Sequence, residues 1–168
     1  MKEVYYCSIK SPTGLLGAWA TEDALVRLDF QDDPEPSRKT LVPQGAKAIL
    51  KAVTEQLKEY FQGKRREFDL PLAPQGTDFQ QKVWSTLLQI PWGQTISYSE
   101  QALRVGDLQA LRAVARANAD NPIGIIIPCH RVIGKDGSLT GYAGGLWRKR
   151  FLLEHEGALR QAALPMPA

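Results

Sequence analysis

The chain has 168 residues, of which 43% are hydrophobic and 23% are charged, and its formal net charge is +3. This length allows one or two compact units, and this composition excludes a disordered or collagen-like chain. The longest uninterrupted apolar stretch, 123–128, is far shorter than the roughly 20 residues that span a membrane. Because no apolar signal segment is visible at the start either, we expect a cytoplasmic protein.

In the first part of the chain, three short segments rich in strand-forming residues predict an antiparallel sheet. They span residues 3–9, 16–20 and 24–30. A polar, proline-rich surface loop is expected at 32–39. Apolar residues at helical spacing from 46 to 61 predict a helix that ends at Gly63 and covers one face of the sheet. Residues 64–76 are expected to link this unit to a second one.

The second part of the chain begins with signals for helices. Thr77 opens a capping box ahead of an apolar helical pattern, and Ser97 opens another for a short helix that ends at Gly106. Asp107 is expected to cap a longer helix from 108 to about 120. This order predicts a helix-turn-helix, which is also common in helical cores and therefore favours DNA binding only weakly.

An apolar run at 123–127 leads into a loop around Cys129, and a final helix is predicted at 146–156. We therefore expect an α+β protein, in which a small antiparallel sheet with a covering helix precedes a mostly helical domain. The expected boundaries are 1–76 for the sheet-plus-helix domain and its linker, 77–160 for the helical domain and 161–168 for a disordered tail.

The cysteines, histidines and charges limit the kinds of site. Two cysteines, Cys7 and Cys129, and two histidines, His130 and His155, are too scattered for a zinc cluster, so neither a metal nor another cofactor is expected. Both thiols are expected to be free. After residue 78 the chain carries 10 Lys and Arg against 6 Asp and Glu, which fits a nucleic-acid surface but also an ordinary solvated face.

The sequence places Cys129 directly before His130, after the apolar run and Pro128. A free thiol is only about 3 per cent ionised at neutral pH, and a neighbouring imidazolium or base is the usual way to increase that fraction. This favours a reactive thiol in an active-site loop. A buried small hydrophobic cysteine beside a hydrogen-bonded histidine is the alternative that the dipeptide alone leaves open.

A set of motifs extends this pattern across the second half of the chain. They are RAV at 112–114, NP at 121–122, PCHRVIG at 128–134, GYAGGL at 141–146 and HEG at 155–157. With this spacing the chain resembles the O6-alkylguanine-DNA alkyltransferases, also called methylated-DNA-protein-cysteine methyltransferases. The resemblance is close over 79–157, whereas the N-terminal part matches only in size and in the order of strands and helix.

The resemblance implies a single-use DNA repair protein. Such a protein binds duplex DNA that contains O6-alkylguanine, rotates the damaged base out of the stack and accepts the alkyl group irreversibly on the cysteine, here Cys129. It further implies that His130 is a base acting through a water, that Glu156 orients the imidazole and that Asn121 braces the loop. A monomer without cofactors is expected, and cooperative loading on DNA is left open.

The resemblance also assigns residues to DNA and to the base. Tyr98 would crowd the 3′ phosphate so that the nucleotide rotates, and it would donate a hydrogen bond to the guanine as the alkyl group is transferred. Arg112 would fill the space in the stack that the base vacates. Ala113 and Arg116 lie on the same helix, which the family places in the minor groove. The implied pocket residues are Tyr142, Ala143, Gly144, Pro128 and Gly124.

The chain departs from the family pattern in three places. Ala115 and Arg116 replace a small glycine-rich pair that often follows RAV, and Arg116 is expected either to contact a phosphate or to point to solvent. Ala143 stands where many members have serine, which leaves only a backbone N–H to donate to the O6 atom. Gly124 replaces a proline found in some members, which predicts a roomier pocket. The departure at Ala143 concerns the strength of this donor and not the reaction, and the one at Gly124 concerns the size of the alkyl group that the pocket admits.

Two other functions are compatible with parts of the pattern. An alkyltransferase-like protein binds the lesion without repairing it, but such proteins carry another residue in place of the cysteine. A hydrolase or acyltransferase with a Cys-His pair is the second alternative, although side chains adjacent in sequence rarely point at one another. An alkyltransferase is consumed one for one, whereas a hydrolase turns over.

Overall fold

The computed structural model describes residues 2–32 and 41–159. The chain divides into two compact units. Residues up to 75 together with 122–124 form the N-terminal unit, and 76–121 with the residues from 125 on form the C-terminal unit. Most of the loop predicted at 32–39 and the whole predicted tail lie outside the described residues. Within the described ranges, no helix is long and apolar enough to cross a membrane.

The N-terminal unit contains the predicted antiparallel sheet and its covering helix. Its elements are β1 (Tyr5–Ser11), β2 (Gly14–Ala20), β3 (Leu25–Phe30) and α1 (Gln44–Phe61). The strands pair in the order β1-β2-β3, and α1 packs on β1 and β2. Apolar residues of α1 such as Leu50, Val53 and Leu57 are buried, because they recur on one face of the helix. The α+β class is thereby confirmed.

Two segments outside the three strands cover the free edge of β3. Leu72 forms a short parallel bridge with Leu25, and Ile123 forms one with Leu28. Each bridge contains two backbone hydrogen bonds of 2.8 to 2.9 Å. An uncovered strand edge exposes unpaired backbone groups, so these bridges satisfy donors and acceptors that would otherwise face solvent. Part of the segment predicted as a linker therefore belongs to the sheet unit.

The C-terminal unit is mostly helical. Its elements are α2 (Asp78–Leu88), β4 (Ile96–Ser97), α3 (Tyr98–Val105), α4 (Leu111–Ala119), β5 (Val132–Ile133) and α5 (Leu146–His155). The two short strands pair in parallel, with Ile96 opposite Val132. This pairing places the start of α3 beside the segment that follows Cys129.

The capping box predicted at Thr77 is confirmed. The Thr77 hydroxyl accepts from the backbone N–H of Gln80 (3.1 Å), and the Gln80 side chain accepts from the backbone N–H of Thr77 (2.9 Å). Ser97 caps α3 by accepting from Glu100 N–H, and Gly106 ends that helix at a φ of 105°. A positive φ of this size favours glycine, which explains why the helix ends there.

The predicted start of α4 is wrong by three residues. The helix begins at Leu111, and its N-cap, Ala110, makes no side-chain capping bond. The Asp107 carboxylate accepts instead from the backbone N–H of Gln109 (2.9 Å). Asp readily closes a local turn of this kind, and this turn takes up the residues that the sequence pattern placed in the first turn of the helix.

A buried polar brace ties α2, α3 and α4 together. Gln101 and Asn118 form a reciprocal amide pair, with donor-acceptor distances of 2.9 and 2.7 Å. Gln101 also donates to the Thr86 hydroxyl (3.3 Å), and Trp84 Nε1 donates to Ala117 O (2.8 Å). Because these groups satisfy one another away from water, they fix the helix-turn-helix without a penalty for unpaired polar atoms.

Replacing Thr77 with alanine removes the hydroxyl half of the capping box. We expect Thr77→Ala to lower the free energy of unfolding by about 1 kcal/mol, whereas Thr77→Ser should change it by a few tenths. Urea denaturation of the two variants and the wild type measures the difference. Equal midpoints for the alanine variant and the wild type would show that this box does not stabilise α2.

Candidate active site

Cys129 lies at the start of a single turn of 3₁₀ helix, Cys129–Arg131. The turn is closed by a hydrogen bond from Arg131 N–H to Pro128 O (3.0 Å) and continues directly into β5. Upstream, Ile125 is buried and has a φ of 68°, a left-handed conformation that is strained for a β-branched residue. Strain of this kind persists only where the surrounding structure determines the backbone path.

Asn121 holds the loop that precedes the cysteine. Its Nδ2 donates to Ile127 O (2.8 Å), and its side chain also forms a hydrogen bond with Cys129. The second bond favours the charged sulfur and so lowers the pKa of the thiol. The structure thus gives Asn121 contacts of the bracing kind that the sequence analysis assigned to it.

The buried carboxylate of Glu156 is the centre of a hydrogen-bond network. His130 Nε2 lies 2.8 Å from Glu156 Oε2, while Arg131 reaches both carboxylate oxygens, with Nε 2.8 Å from Oε1 and Nη2 3.1 Å from Oε2. Arg131 also donates to Ile90 O. Burial alone would raise the pKa of Glu156, but His130 and Arg131 hold it at about 2.

This network fixes the tautomer of His130. Glu156 is ionised, so it can only accept, and His130 must therefore carry its proton on Nε2. Burial lowers the pKa of His130, although Glu156 opposes the shift, and the imidazole is neutral. Nδ1 is then a buried acceptor, and it makes no hydrogen bond to any described residue.

Of the two ways in which a neighbouring histidine can favour a thiolate, as an imidazolium or as a base, the lowered pKa of His130 favours the base. Burial raises the pKa of Cys129, and only Asn121, Lys149 and a backbone hydrogen bond counteract it. His130 is neutral, and its proton is directed to Glu156. The resting cysteine is therefore a protonated thiol, and a base must remove its proton before it can attack.

A cavity of about 320 Å³ opens in front of the sulfur. Its lining residues are Tyr98, Ala115, Asn118, Ala119, Cys129, Gly141, Tyr142 and Ala143. The volume lies at the lower end of the range for small-ligand pockets. One wall is a face of α4, because Ala115, Asn118 and Ala119 follow the spacing that places helical side chains together.

The predicted pocket residues divide into two groups. Tyr142 and Ala143 line the cavity, whereas Pro128, Gly144 and Gly124 are not among its lining residues. Gly124 belongs to the N-terminal unit, where its N–H donates to Leu28 O (2.9 Å). The α4 wall was missed, although its helical spacing was visible in the sequence.

The hydroxyl of Tyr98 points to the loop that forms the opposite wall. It donates to Thr140 O at 3.0 Å, and burial raises the pKa of the phenol. Tyr98 is the first residue of α3 and follows β4, whose pairing with β5 brings it towards Cys129. The structure therefore places Tyr98 and Cys129 on one cavity.

Lys149 is a site residue that the sequence analysis missed. Its side chain is completely buried, and Nζ donates to Thr140 O (2.9 Å) and Gly141 O (3.4 Å). Burial lowers its pKa to about 8. The sequence does contain a signal for the burial of Lys149. It lies three residues before Leu152, which places it on the buried face of α5.

Apart from Tyr98 on α3, the residues predicted to contact DNA lie on the exposed side of α4. Arg112, Ala113 and Arg116 are all exposed, and Arg116 pairs with Asp120 at 3.3 Å. Exposed ion pairs of this kind contribute little to stability, so Arg116 remains able to exchange its partner. The same helix thus presents arginines to solvent and small residues to the cavity.

Comparison with known families identifies the chain. The family model for the DNA binding domain of 6-O-methylguanine DNA methyltransferase matches residues 78–158, and the model for the ribonuclease-like domain of the same protein matches 4–74. The chain belongs to the O6-methylguanine DNA methyltransferase family, which confirms the resemblance seen in the sequence.

Two curated relatives, both named methylated-DNA-protein-cysteine methyltransferase, cover nearly the whole chain. The protein from Methanosarcina barkeri is 47% identical over 156 residues, which are 91% of this chain and 97% of the relative. The protein from Mycobacterium tuberculosis is 46% identical over 164 residues, which are 97% and 98% of the two chains.

Solved structures from Mycobacterium tuberculosis share the fold. Its O6-methylguanine methyltransferase is 48% identical and superposes with a TM-score of 0.81, covering 96% of this chain and 98% of that one. A structure of its OGT in complex with DNA is 47% identical with a TM-score of 0.80, covering 91% and 92%.

The depressed pKa of Glu156 makes the stability of the protein depend on pH. A carboxyl group whose pKa falls from 4.5 to about 2 on folding stabilises the protein above pH 4.5, and this contribution is lost as the pH falls towards 2. We expect urea unfolding to show this loss, on the order of 3 kcal/mol, between these pH values.

The variant Glu156→Gln tests the assignment, because glutamine does not titrate. It should be less stable at pH 7, since Arg131 is left buried without its carboxylate, and it should lack this part of the acid dependence. Glu154→Gln on the same helix is the control and should keep the wild-type profile. An unchanged acid profile in Glu156→Gln would contradict the assignment.

Proposed function

We propose that this protein repairs DNA by transferring the alkyl group of an O6-alkylguanine irreversibly to its own Cys129. The observation that carries the proposal is a thiol on the wall of a 320 Å³ cavity, beside a buried Glu156–His130 pair. The partner is double-stranded DNA that contains the lesion, and each molecule reacts once. The cytoplasmic location and the monomeric state stay predictions.

The reaction begins with the removal of the thiol proton. His130 accepts it on Nδ1, the nitrogen that faces away from Glu156, through a bridging water as the family resemblance implies. The Glu156 carboxylate stabilises the imidazolium that forms. This order suits a site in which burial keeps the thiol protonated until a base acts.

The thiolate then attacks the alkyl carbon in line with the carbon–oxygen bond. A carbon–sulfur bond forms while the bond to O6 breaks, and the electron pair stays on the guanine. The released guanine takes up one proton, which balances the proton that the thiol lost. The thioether that results is stable, because a thiolate is a poor leaving group from an alkyl carbon, and the protein is therefore consumed.

The departing guanine needs hydrogen-bond donors as its charge develops. Tyr98 and Ala143 line the cavity, and the Tyr98 hydroxyl and the Ala143 backbone N–H are the proposed donors. The Tyr98 hydroxyl is bound to Thr140 O, so it must exchange that acceptor for the base. Because residue 143 is an alanine, only its backbone can contribute.

The damaged base must leave the helix to reach this cavity. We propose that α4 lies in the minor groove, with Arg112 filling the space left in the stack and with Ala113 and Arg116 against the backbone. Flipping a base costs a few kcal/mol, and less for a weakly paired lesion. The C-terminal unit thus both binds DNA and carries the reaction.

Incubation with duplex DNA that contains O6-methylguanine should add one methyl group, about 14 mass units, to Cys129. Peptide mass spectrometry locates the label, and Cys7→Ser is the matched control because it removes the other thiol while keeping the site. Cys129→Ser should remain unlabelled. Lesion binding without any label on folded wild-type protein would indicate a lesion-binding protein, and continued turnover would indicate a hydrolase.

Arg112→Ala should slow the repair of duplex DNA at least tenfold while changing the reaction with free O6-benzylguanine by less than about threefold, since only the duplex requires base flipping. Lys47→Ala, which removes an exposed positive charge from α1, is the control for the loss of net charge. Equal losses on both substrates would assign Arg112 to the fold or the cavity instead.

A further inference from the structure

Residues 142–145 form a tight turn that carries two of the residues lining the cavity, Tyr142 and Ala143. The turn is closed by a hydrogen bond from Gly145 N–H to Tyr142 O (2.9 Å). Neither Ala143 nor Gly144 has a positive φ, which is typical of a type I turn. The closing bond does not use the N–H groups of Ala143 and Gly144, and no group in the described part of the chain accepts from them.

The use of such a donor depends on how firmly the turn is held. Backbone N–H groups stabilise a developing charge best when the protein fixes them in place beforehand. Because residue 143 is an alanine, no side-chain hydroxyl can replace an N–H that is misplaced. Gly144 and Gly145 make up half of the turn, and glycine has the least restricted backbone. Contacts from outside the turn are therefore needed to hold the Ala143 N–H in position.

Arg148 supplies such a contact from the first turn of α5. Its side chain is buried, and Nη1 donates to Gly144 O (3.2 Å). Its Cζ lies 4.8 Å from the centre of the Trp147 ring. A Cβ atom at Gly145 would lie 3.6 Å from Cδ1 of this indole, so the ring packs against the end of the turn. The guanidinium thus binds one glycine of the turn while the indole packs against the other.

The positive charge of Arg148 also acts on a residue that lines the cavity. Burial raises the pKa of the Tyr142 phenol well above its usual value, and the charge of Arg148 opposes this shift. A guanidinium stays charged at any pH at which a protein is folded, and its planar fork suits both a carbonyl and an aromatic face. Arg148 is therefore a rigid and permanently charged support for the turn.

We infer that Arg148 is a positioning residue, whose hydrogen bond to Gly144 O and stacking on Trp147 hold the 142–145 turn in place. A turn held in this way offers the Ala143 N–H to the departing guanine without reorganising during the reaction. The inference rests on the proposed function for the use of this donor, whereas the restraint on the turn is a property of the protein without DNA. It requires no contact between Arg148 and the substrate.

Two reactions of Cys129 separate this role from a general loss of structure. Transfer from free O6-benzylguanine releases a guanine and uses the donor, whereas alkylation by iodoacetamide releases iodide and does not. In a full-length Cys7→Ser background, Arg148→Met should slow benzyl transfer at least about tenfold and change alkylation by less than about twofold. Arg148→Lys keeps the charge but not the planar stack, so its rate of benzyl transfer should lie between those of Arg148→Met and the wild type.

Arg150→Met is the matched control, because it removes an exposed arginine from the same helix and should leave both rates unchanged. Trp147→Ala leaves the buried guanidinium in place and removes only its stacking partner, so it should slow benzyl transfer by about threefold. Thermal unfolding confirms that each variant is folded. Benzyl transfer at the wild-type rate in Arg148→Met would overturn the inference, and so would equal losses in both reactions, which would assign Arg148 to the fold.

A second measurement uses neither a substrate nor DNA. Hydrogen exchange followed by NMR reports how firmly the turn is closed, because the Gly145 N–H is bonded to Tyr142 O. Arg148→Met should speed the exchange of this N–H at least about tenfold. The Gly106 N–H, which is bonded to Ala102 O (3.0 Å) at the end of α3, should keep its rate. Unchanged exchange at Gly145 would contradict the inference.

The exchange experiment also distinguishes the two ways in which the account can fail. A wild-type protein that accepts no alkyl group from lesion DNA or from O6-benzylguanine would sink the proposed function. Exchange at Gly145 would then still decide whether Arg148 holds the turn. Normal transfer by Arg148→Met would instead leave the proposed function standing and remove the role of Arg148.

Discussion

The site depends on the hydrogen bonds that the buried carboxylate of Glu156 accepts. It is buried at the end of α5 and accepts hydrogen bonds from both residues that follow Cys129, namely His130 and Arg131. A buried carboxylate is tolerated because these partners compensate its charge. One anion therefore sets the tautomer of the histidine, anchors the turn that carries the cysteine and joins that turn to the last helix.

This arrangement fixes the protonation state of the proposed base. The His130 imidazole is neutral, since its proton is committed to Glu156 and burial disfavours a second one. The hydrogen bond from Asn121 and the positive charge of Lys149 lower the pKa of the thiol, but burial outweighs them. Burial keeps the resting thiol protonated, so the sulfur needs a proton acceptor before it can attack.

Much of the fold could be predicted because its signals are local. The sheet, the covering helix and the capping box at Thr77 follow from alternation, helical spacing and cap chemistry. The start of α4 was misplaced because the local turn at Asp107 has the same sequence signal as a helix cap. The positions of Asn118 on the cavity wall and of Lys149 in the interior could not be predicted, because they depend on which helix faces pack together, and only the tertiary structure determines that.

The division of charge between Glu156 and His130 is tested most directly by ¹⁵N NMR of the His130 ring in the folded protein. The proton should be on Nε2, with Nδ1 unprotonated, at pH 7 and still at pH 6, because burial lowers the pKa of this imidazole. A ring protonated on both nitrogens at pH 7 would contradict this division, since the histidine would then supply the charge and could not accept the thiol proton.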